Sequence, residues 1–337
     1  MFFLTFEERL MQSPCFLNRR RVLQSAAAAA LAWTGLARAE GGPVKIMVGF
    51  PAGGGTDAIA RILADKLKDV LGSAVVVENK AGAGGQLAAQ ALKAAKPDGQ
   101  TLFLSHDHSI SILPLVLKNP GYDPAHDFVP VAGFATFANG LALSGGTPAQ
   151  GFADWVSQVK TGAGGRANVG VPAPASVPEF LVQVMAKQYG LDLKAVPYRG
   201  SAPMMADMLG NQIPAGVGSV PDFMEYQKAG KLRMVAVMGK QRQAALPQVP
   251  TFSELGLAGF DDLPYYGVFA PKGTPEPVLQ RLAAALEKVL ALPEIHQRLT
   301  NLGLSVGFMP GAQLAQRERA YSQTWARVIR ESGFKAQ

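Results

Sequence analysis

Cysteine is almost absent from this sequence, which has a single cysteine, Cys15, among 337 residues. One cysteine excludes an internal disulfide and a zinc site built from several thiolates. Charged residues are also sparse, at 17%, while hydrophobic residues reach 48%. This balance excludes a highly charged, disordered chain. It favours a large buried core, which at this length fits two domains.

Long hydrophobic runs are missing as well. The most apolar segment, 22–36, is short and rich in alanine, whereas a membrane-spanning helix needs about 20 apolar residues. It follows arginines at 19–21 and precedes an A-x-A motif at 37–39, which is the order of a signal peptide. We therefore predict that 1–39 is a signal peptide. The arginines leave the twin-arginine route and the general export route both open.

Removal of this segment would change the charge of the chain. Cleavage after Ala39 would take away Cys15, five arginines and two glutamates, so the net charge would fall from +7 to +4. A mildly basic chain does not indicate a nucleic acid partner. Cys15 follows no lipobox, so no lipid anchor is predicted. An exported, cysteine-free chain predicts a periplasmic protein that is soluble after signal cleavage.

Short apolar runs alternate with amphipathic segments in the rest of the chain. Strands are predicted at 44–50, 74–78 and 101–105, with glycine-led helices between them. This β-α-β-α-β order predicts parallel strands joined by right-handed crossovers. The alternation recurs in the middle of the chain, and the tail can return to the first group. The sequence therefore predicts an α/β clamshell of two lobes, 41–138 plus 266–337 and 139–265, with hinge segments near 134–141 and 263–269.

The stretch "GFPAGGGTD" at 49–57 lies between a predicted strand and a predicted helix. A helix N-terminus attracts anions through its unpaired N–H groups and dipole, and glycine lets the backbone approach closely. Thr56 is the predicted N-cap, with Asp57 in the first turn. A nucleoside triphosphate loop is excluded because the lysine of that motif is missing and the carboxylate of Asp57, beside the loop, would repel a triphosphate.

A dinucleotide-binding loop is the alternative reading of the same glycines. Gly53 to Ala58 fits G-x-G-x-x-A, and Glu78 ends the second predicted strand where a ribose-binding acid belongs. Pro51 stiffens the turn, and an exported chain is separated from nicotinamide pools. Twin-arginine export of a folded, loaded enzyme keeps this alternative, an exported NAD(P)-dependent oxidoreductase, open.

Eight stretches, in order, resemble one family. They are "FPAGGGTDAIAR", "VVVENKAGAGGQLAAQAL", "PDGQTLFL", "YDPAHDFVPVAG", "VPYRGSAPMMADMLGNQ", "AGKLRMVAV", "ALPQVPTFSELGLAGF" and "GVFAPKGTPEPV". Together they resemble the substrate-binding receptors of tripartite tricarboxylate transporters, also called Bug receptors. The resemblance implies a clamshell of the type II periplasmic-binding-protein class, without enzymatic activity or cofactor. Such a receptor is expected to be a monomer that binds a small organic carboxylate and delivers it to a membrane permease; a sensor kinase is the other partner left open.

The resemblance also implies where the ligand binds: at one loop per lobe. The site residues expected from the first lobe are Phe50, Pro51, Ala52, Gly53, Gly54, Thr56, Asp57 and Ser105. The second loop, "VGVPAPASVPEF" at 169–180, departs from the family pattern, which is rich in glycine and serine and has a histidine. The residues expected from it are Ala175, Ser176 and Val177, with Ser176 capping a helix that has Pro178 and Glu179 in its first turn.

Three further positions bear on the ligand. Arg199 is a candidate partner for a second ligand carboxylate, with a surface role as its alternative. Gly218 stands where many relatives have an aspartate, which argues against an amino-acid ligand, and Asp222 is close by in sequence. His106 and His108 look like metal ligands, but we expect one at the cleft rim, the other in solvent, and no metal site.

Overall fold

The computed structural model describes residues 42–162, 164–331 and 334–336. The predicted signal peptide, with Cys15, lies outside the described residues. Among the residues described, no helix is long and apolar enough to cross a membrane.

The described chain alternates strands and helices. The strands are β1 (Val44–Val48), β2 (Val75–Asn79), β3 (Thr101–His106), β4 (Phe128–Thr136), β5 (Asn139–Ser144), β6 (Arg166–Val171), β7 (Asp192–Pro197), β8 (Ala215–Ser219), β9 (Leu232–Val237), β10 (Tyr265–Pro271) and β11 (Ser305–Pro310). The α-helices are α1 (Gly55–Leu71), α2 (Gln86–Lys93), α3 (Leu113–Val116), α4 (Pro124–Asp127), α5 (Phe152–Gly162), α6 (Val177–Tyr189), α7 (Ser201–Leu209), α8 (Val220–Lys228), α9 (Glu276–Leu290), α10 (Pro293–Asn301) and α11 (Gly311–Glu331). A 3₁₀ turn at Ala83–Gly85 precedes α2, and a π-helix at His108–Ile112 precedes α3.

One sheet has six strands in the order β11-β4-β10-β3-β1-β2. β1 pairs in parallel with both β2 and β3, which confirms the predicted parallel β-α-β-α-β unit. β10 is antiparallel to β3 and β4. The tail of the chain therefore returns to this sheet. We call the part of the molecule built on it lobe one.

The other sheet has five strands in the order β7-β6-β8-β5-β9. β6 is parallel to β7 and β8, while β5 runs antiparallel to β8 and β9. We call the part built on this sheet lobe two. Two α/β lobes of this kind confirm the predicted fold class.

The chain passes between the sheets twice, after Thr136 and again between Val237 and Tyr265. The two crossing segments touch, since the N–H of Phe137 donates to the carbonyl of Pro264 at 3.1 Å. The lobe boundaries and hinge segments stay predictions, and these crossings support them.

Helix α1 positions the glycine loop. Ile59, Leu63 and Leu67 are buried on one face, while Arg61 and Asp65 are exposed on the other. This apolar face packs on the core formed with β1 and β3. Because the helix is anchored along its length, its first turn is held rigidly at the carboxyl end of β1.

Candidate functional site

A cavity lies between the lobes, where several strands and helices begin or end. From lobe one and the first crossing it is lined by Phe50, Thr56, His106, Asp107, His108, Phe137 and Tyr266. From lobe two it is lined by Asn139, Pro172, Ala173, Ser176, Val177, Pro178, Ser201, Ser219 and Asp222. Concave sites of this kind, with apolar walls and a few polar groups, are the usual places where small molecules bind.

The glycine loop reaches this cavity through the first turn of α1. Gly53 has φ +85°, a conformation that favours glycine. Gly54 is the N-cap, with extended backbone and no side chain to cap the helix. The prediction that Thr56 is the N-cap was wrong, because the helix begins one residue before it. The Thr56 hydroxyl instead shares a hydrogen bond with the Tyr266 hydroxyl, 3.2 Å away.

Asp57 braces the loop from inside the protein. Its carboxylate accepts hydrogen bonds from the N–H of Gly53 at 3.0 Å, from Arg61 Nε at 3.0 Å and from Asn79 Nδ2 at 2.9 Å. Burial alone would raise the pKa of Asp57, but these three donors and the charge of Arg61 outweigh it and hold the pKa below its ordinary 3.8. Asn79 Nδ2 also donates to the carbonyl of Phe50 at 3.1 Å. Asp57 therefore fixes the loop from behind, and it is not among the cavity-lining residues.

The second loop begins α6 on the opposite wall. Ser176 is its N-cap and accepts a hydrogen bond from the N–H of Glu179 at 3.4 Å. The Glu179 side chain also contacts the loop, because its Oε2 accepts a hydrogen bond from the N–H of Ala175 at 2.6 Å. This arrangement differs from a capping box, in which the carboxylate accepts from the N–H of the cap residue itself, but it confirms Ser176 as the cap. Ala175 takes the left-handed conformation, φ +49°, so the loop turns sharply just before the helix.

Aromatic rings form a continuous wall beside the α1 loop. Phe50 stacks on His106 with centroids 5.0 Å apart. His106 meets the rings of Phe137 and Tyr266 edge-on, and Phe137 lies 4.7 Å from Tyr266. The wall combines residues from β3, the first crossing and β10. It therefore spans positions far apart in sequence.

One of the two histidines takes a different place from the one expected. His106 contacts Asp107, whose other oxygen accepts a hydrogen bond from the Tyr321 hydroxyl at 2.9 Å. His108 is only 5% exposed, so the expectation of one solvated histidine was wrong. The chain turns into the π-helix after β3 and carries His108 inward. Neither ring nitrogen of His108 has a hydrogen-bond partner within the described protein.

His108 predicts a loss of stability in acid. Burial lowers the pKa of His108 from 6.5 to about 4. Between pH 6.5 and about 4, His108 is protonated in the unfolded chain but stays neutral in the folded protein. The free energy of unfolding therefore falls as the pH drops below 6.5. Urea unfolding at pH 7.5 and pH 4.5 is expected to show that His108→Gln avoids about 2–3 kcal/mol of the loss seen in the unmodified protein. His296→Gln, at an exposed position, is the control and should lose as much as the unmodified protein. An equal loss in His108→Gln would contradict a buried, neutral histidine.

Some of the expected site residues line the cavity and others do not. Phe50, Thr56, Ser176 and Val177 line the cavity. Pro51 and Gly54 lie against lobe two, where they approach Gly200 and Ser201. The expected residues outside the cavity lining are Pro51, Ala52, Gly53, Gly54, Asp57, Ser105, Ala175, Arg199 and Gly218.

The structure defines the surroundings of three of these residues. Arg199 is exposed. A Cβ on Gly218 would point at Phe223 and Met204 in the core of lobe two. The hydroxyl of Ser105 is buried without a hydrogen-bond partner in the described protein. Whether any of the expected residues binds a ligand stays a prediction.

Asp222, Ser201 and Ser219 are cavity residues that the sequence reading did not single out as site residues. Ser201 begins α7 and Ser219 is the N-cap of α8, with Asp222 in the first turn. The pattern S-x-x-D ahead of an apolar run marks such a helix start. Sequence could therefore locate the turn, but not the direction in which it points.

No metal centre is indicated. In the part of the chain that the structure describes, no three side chains of histidine, cysteine, aspartate or glutamate are grouped so that they could hold a metal ion.

Two α/β lobes, two chain crossings and a cavity between them define a solute-binding protein of the periplasmic-binding-protein fold. The sequence profile of the "Tripartite tricarboxylate transporter family receptor" matches residues 59–334. The chain belongs to this receptor family, which confirms the resemblance read from the sequence. Protein BugT of Bordetella pertussis is 30% identical over 298 residues, covering 87% of this chain and 90% of that protein.

Solved structures agree with this assignment. The periplasmic binding protein BugD matches with a TM-score of 0.82 and 32% identity, over 89% of this chain and 100% of that one. The R. palustris protein Rpa4515, solved with adipate, matches with a TM-score of 0.83 and 28% identity, over 88% of this chain and 99% of that one.

Proposed function

We propose that this protein is a non-enzymatic receptor that binds a small organic carboxylate in the cavity between its lobes. The observation that carries the proposal is that α6 begins on one wall of the cavity, through Ser176 and Val177, and that the Thr56 hydroxyl of α1 lines the other wall. Helix N-termini bind anions without help from a cationic side chain. The related protein Rpa4515, solved with the dicarboxylate adipate, supports the ligand class.

The rest of the proposal follows from the family. The receptor works in the periplasm after its signal peptide is cleaved, and it delivers its ligand to a membrane permease of the tripartite tricarboxylate type. It acts as a monomer without cofactor, and the lobes move about hinges at the two crossings. The contact between the two crossings supports this hinge, since two connected segments can absorb a change in lobe angle together.

The alternative of a nicotinamide-dependent oxidoreductase gains no support from the geometry. Glu78, the expected ribose partner, is paired with Lys45 Nζ at 2.7 Å and is partly exposed. The N–H of Gly55 donates to the Asp222 carboxylate at 2.8 Å. A pyrophosphate at this helix end would meet that negative charge.

A ligand screen tests the receptor proposal. Purified chain from residue 40 onward is heated with mono- and dicarboxylates and, separately, with NAD and NADP. A carboxylate present at 100 times its Kd is expected to add about 2.7 kcal/mol of stability and to raise Tm. Stabilisation by NAD or NADP, with none by any carboxylate, would contradict the proposal.

A pair of variants then locates the binding site. Thr56→Val removes a cavity hydroxyl whose hydrogen bond is worth about 0.5–1.5 kcal/mol. It is expected to lower the affinity for the carboxylate found in the screen. Thr161→Val, at an exposed position on α5, is the matched control and should bind as the unmodified protein does. Equal affinity in both variants would place the ligand elsewhere.

A further inference from the structure

Asp222 is an acidic side chain of lobe two that reaches across the cavity to lobe one. It lies in the first turn of α8. Its Oδ1 accepts a hydrogen bond from the N–H of Gly55 at 2.8 Å, and its Oδ2 accepts one from the Ser219 hydroxyl at 2.6 Å. Both carboxylate oxygens are therefore held in place, one by each lobe.

This contact occupies the end of α1 where an anion is most stable. The N-cap, Gly54, offers no side chain to the helix, so Asp222 supplies the capping carboxylate from the other lobe. The neighbouring N–H of Gly53 already donates to Asp57. A ligand carboxylate at this helix end would have to displace Asp222 or lie against its negative charge.

The rest of the cavity offers neutral donors for a single carboxylate. Val177 is the first residue of α6, and an N–H at that position has no acceptor within the helix. Asn139 and Ser201 line the same cavity with polar side chains. His108 also lines it, 5% exposed and with both ring nitrogens unpaired in the described protein. A buried polar group without a hydrogen-bond partner is costly. A ligand oxygen that accepts a hydrogen bond from His108 would remove this cost.

The charge of the cavity wall opposes a second ligand carboxylate. Among the described residues that line the cavity there is neither lysine nor arginine, whereas Asp107 and Asp222 are both acidic. Like charges a few ångströms apart repel strongly where water is excluded. The neutral donors can bind one carboxylate. A second carboxylate would find no cationic side chain in the cavity lining and would be repelled by Asp222.

We propose that Asp222 makes this cavity a site for one carboxylate, so that the receptor selects a monocarboxylate over the dicarboxylate of the same length. Asp222 takes the anion position at α1 that a second ligand carboxylate would otherwise use. It is a specificity-determining residue, and this inference rests on the proposed function.

Calorimetric titration with matched pairs of acids tests the selection. Each pair has one carbon chain with one or two carboxylates: butyrate with succinate, and hexanoate with adipate. In the unmodified protein the monocarboxylate of the better-fitting pair is expected to bind about tenfold more tightly or better. Asp222→Ala, which vacates the position, should lower that ratio by about tenfold, mainly through tighter binding of the dicarboxylate. Asp222→Asn keeps the shape and an oxygen for Gly55 and removes only the charge, so it should lower the ratio in the same direction.

A control variant separates a local effect from a change in overall charge. Glu225→Gln lies on the same helix, is exposed and does not line the cavity, and it should leave the ratio unchanged. Ligand-free melting curves of all variants show that each is folded. Tighter binding of the dicarboxylate by the unmodified protein, or a ratio that both Asp222 variants leave unchanged, would overturn the inference while leaving the receptor proposal intact. Absence of binding by every acid tested here and in the wider screen would instead overturn the receptor proposal.

Discussion

Replacing Asp57 with alanine is expected to lower the free energy of unfolding by about 2–4 kcal/mol at pH 7. Asp57 is 4% exposed and gathers hydrogen bonds from Gly53, Arg61 and Asn79. Alanine leaves the N–H of Gly53 without its acceptor and removes one of the two acceptors of Asn79 Nδ2. Arg61 is largely exposed, so its ion pair adds little to the loss. Urea unfolding measures the change.

The effect of this substitution is also expected to depend on pH. The folded-state pKa of Asp57 lies below 3.8, so its contribution is fully present above pH 3.8 and is lost as the pH falls through the lower, folded value. The difference in free energy of unfolding between Asp57→Ala and the unmodified protein should therefore become smaller in strong acid.

Asp65→Ala is the matched control for this prediction. It lies on the same helix and pairs with Lys68 at 3.0 Å, but it is exposed. An exposed pair of this kind contributes little to stability. Equal decreases in the free energy of unfolding of the two variants would show that Asp57 does not stabilise the glycine loop.

Replacing Gly55 with alanine is expected to weaken ligand binding by about 10- to 100-fold, because overpacking a contact costs about 1–3 kcal/mol. A Cβ on Gly55 would lie 2.8 Å from Asp222 Oδ1, 3.2 Å from Pro221 Cβ and 3.3 Å from the Asp222 nitrogen. All three atoms belong to lobe two. Lobe one should be undisturbed, since alanine suits the first turn of a helix better than glycine. Calorimetry with the carboxylate found by screening measures the affinity, and melting curves check the fold.

Gly151→Ala provides the control for a glycine replacement that meets nothing. A Cβ at Gly151 would have no atom within 4 Å, and the residue precedes α5, away from the cavity lining. This variant should bind ligand normally. Normal binding by Gly55→Ala as well would mean that the ligand-bound protein does not bring Asp222 against α1.

Local patterns were sufficient for most of the fold. Alternating apolar runs and helical spacing predicted β1, β2 and β3 within a residue or two of the observed ends. Gly190, which ends α6, has a left-handed φ of 64°, the usual conformation of a glycine at the end of a helix. β4, β5, α10 and β11 were not predicted. The pairing partners of the three strands lie far away in the chain, and only the assembled sheets define these strands.

The site was less accessible to sequence reasoning. The glycine loop and the Ser176 cap could be read because helix starts carry local signatures. Arg199 looked available for a ligand, yet it is exposed and outside the cavity lining. Asp222 was noted only as a neighbour of Gly218 in sequence, although it is 167 positions from Gly55 and bonds to it. Ligand binding by these residues remains a prediction.

The sequence by itself determined most of the elements, the parallel pairing of β1 with β2 and β3, and the family, because each depends on short-range spacing or on the order of motifs. Tertiary structure alone decided which side chains share the cavity. Phe50, Phe137 and Tyr266 meet there only after two sheets and two crossings are assembled. The direction in which a helix start points is set by the packing of the whole helix on its sheet, and no local pattern contains that information.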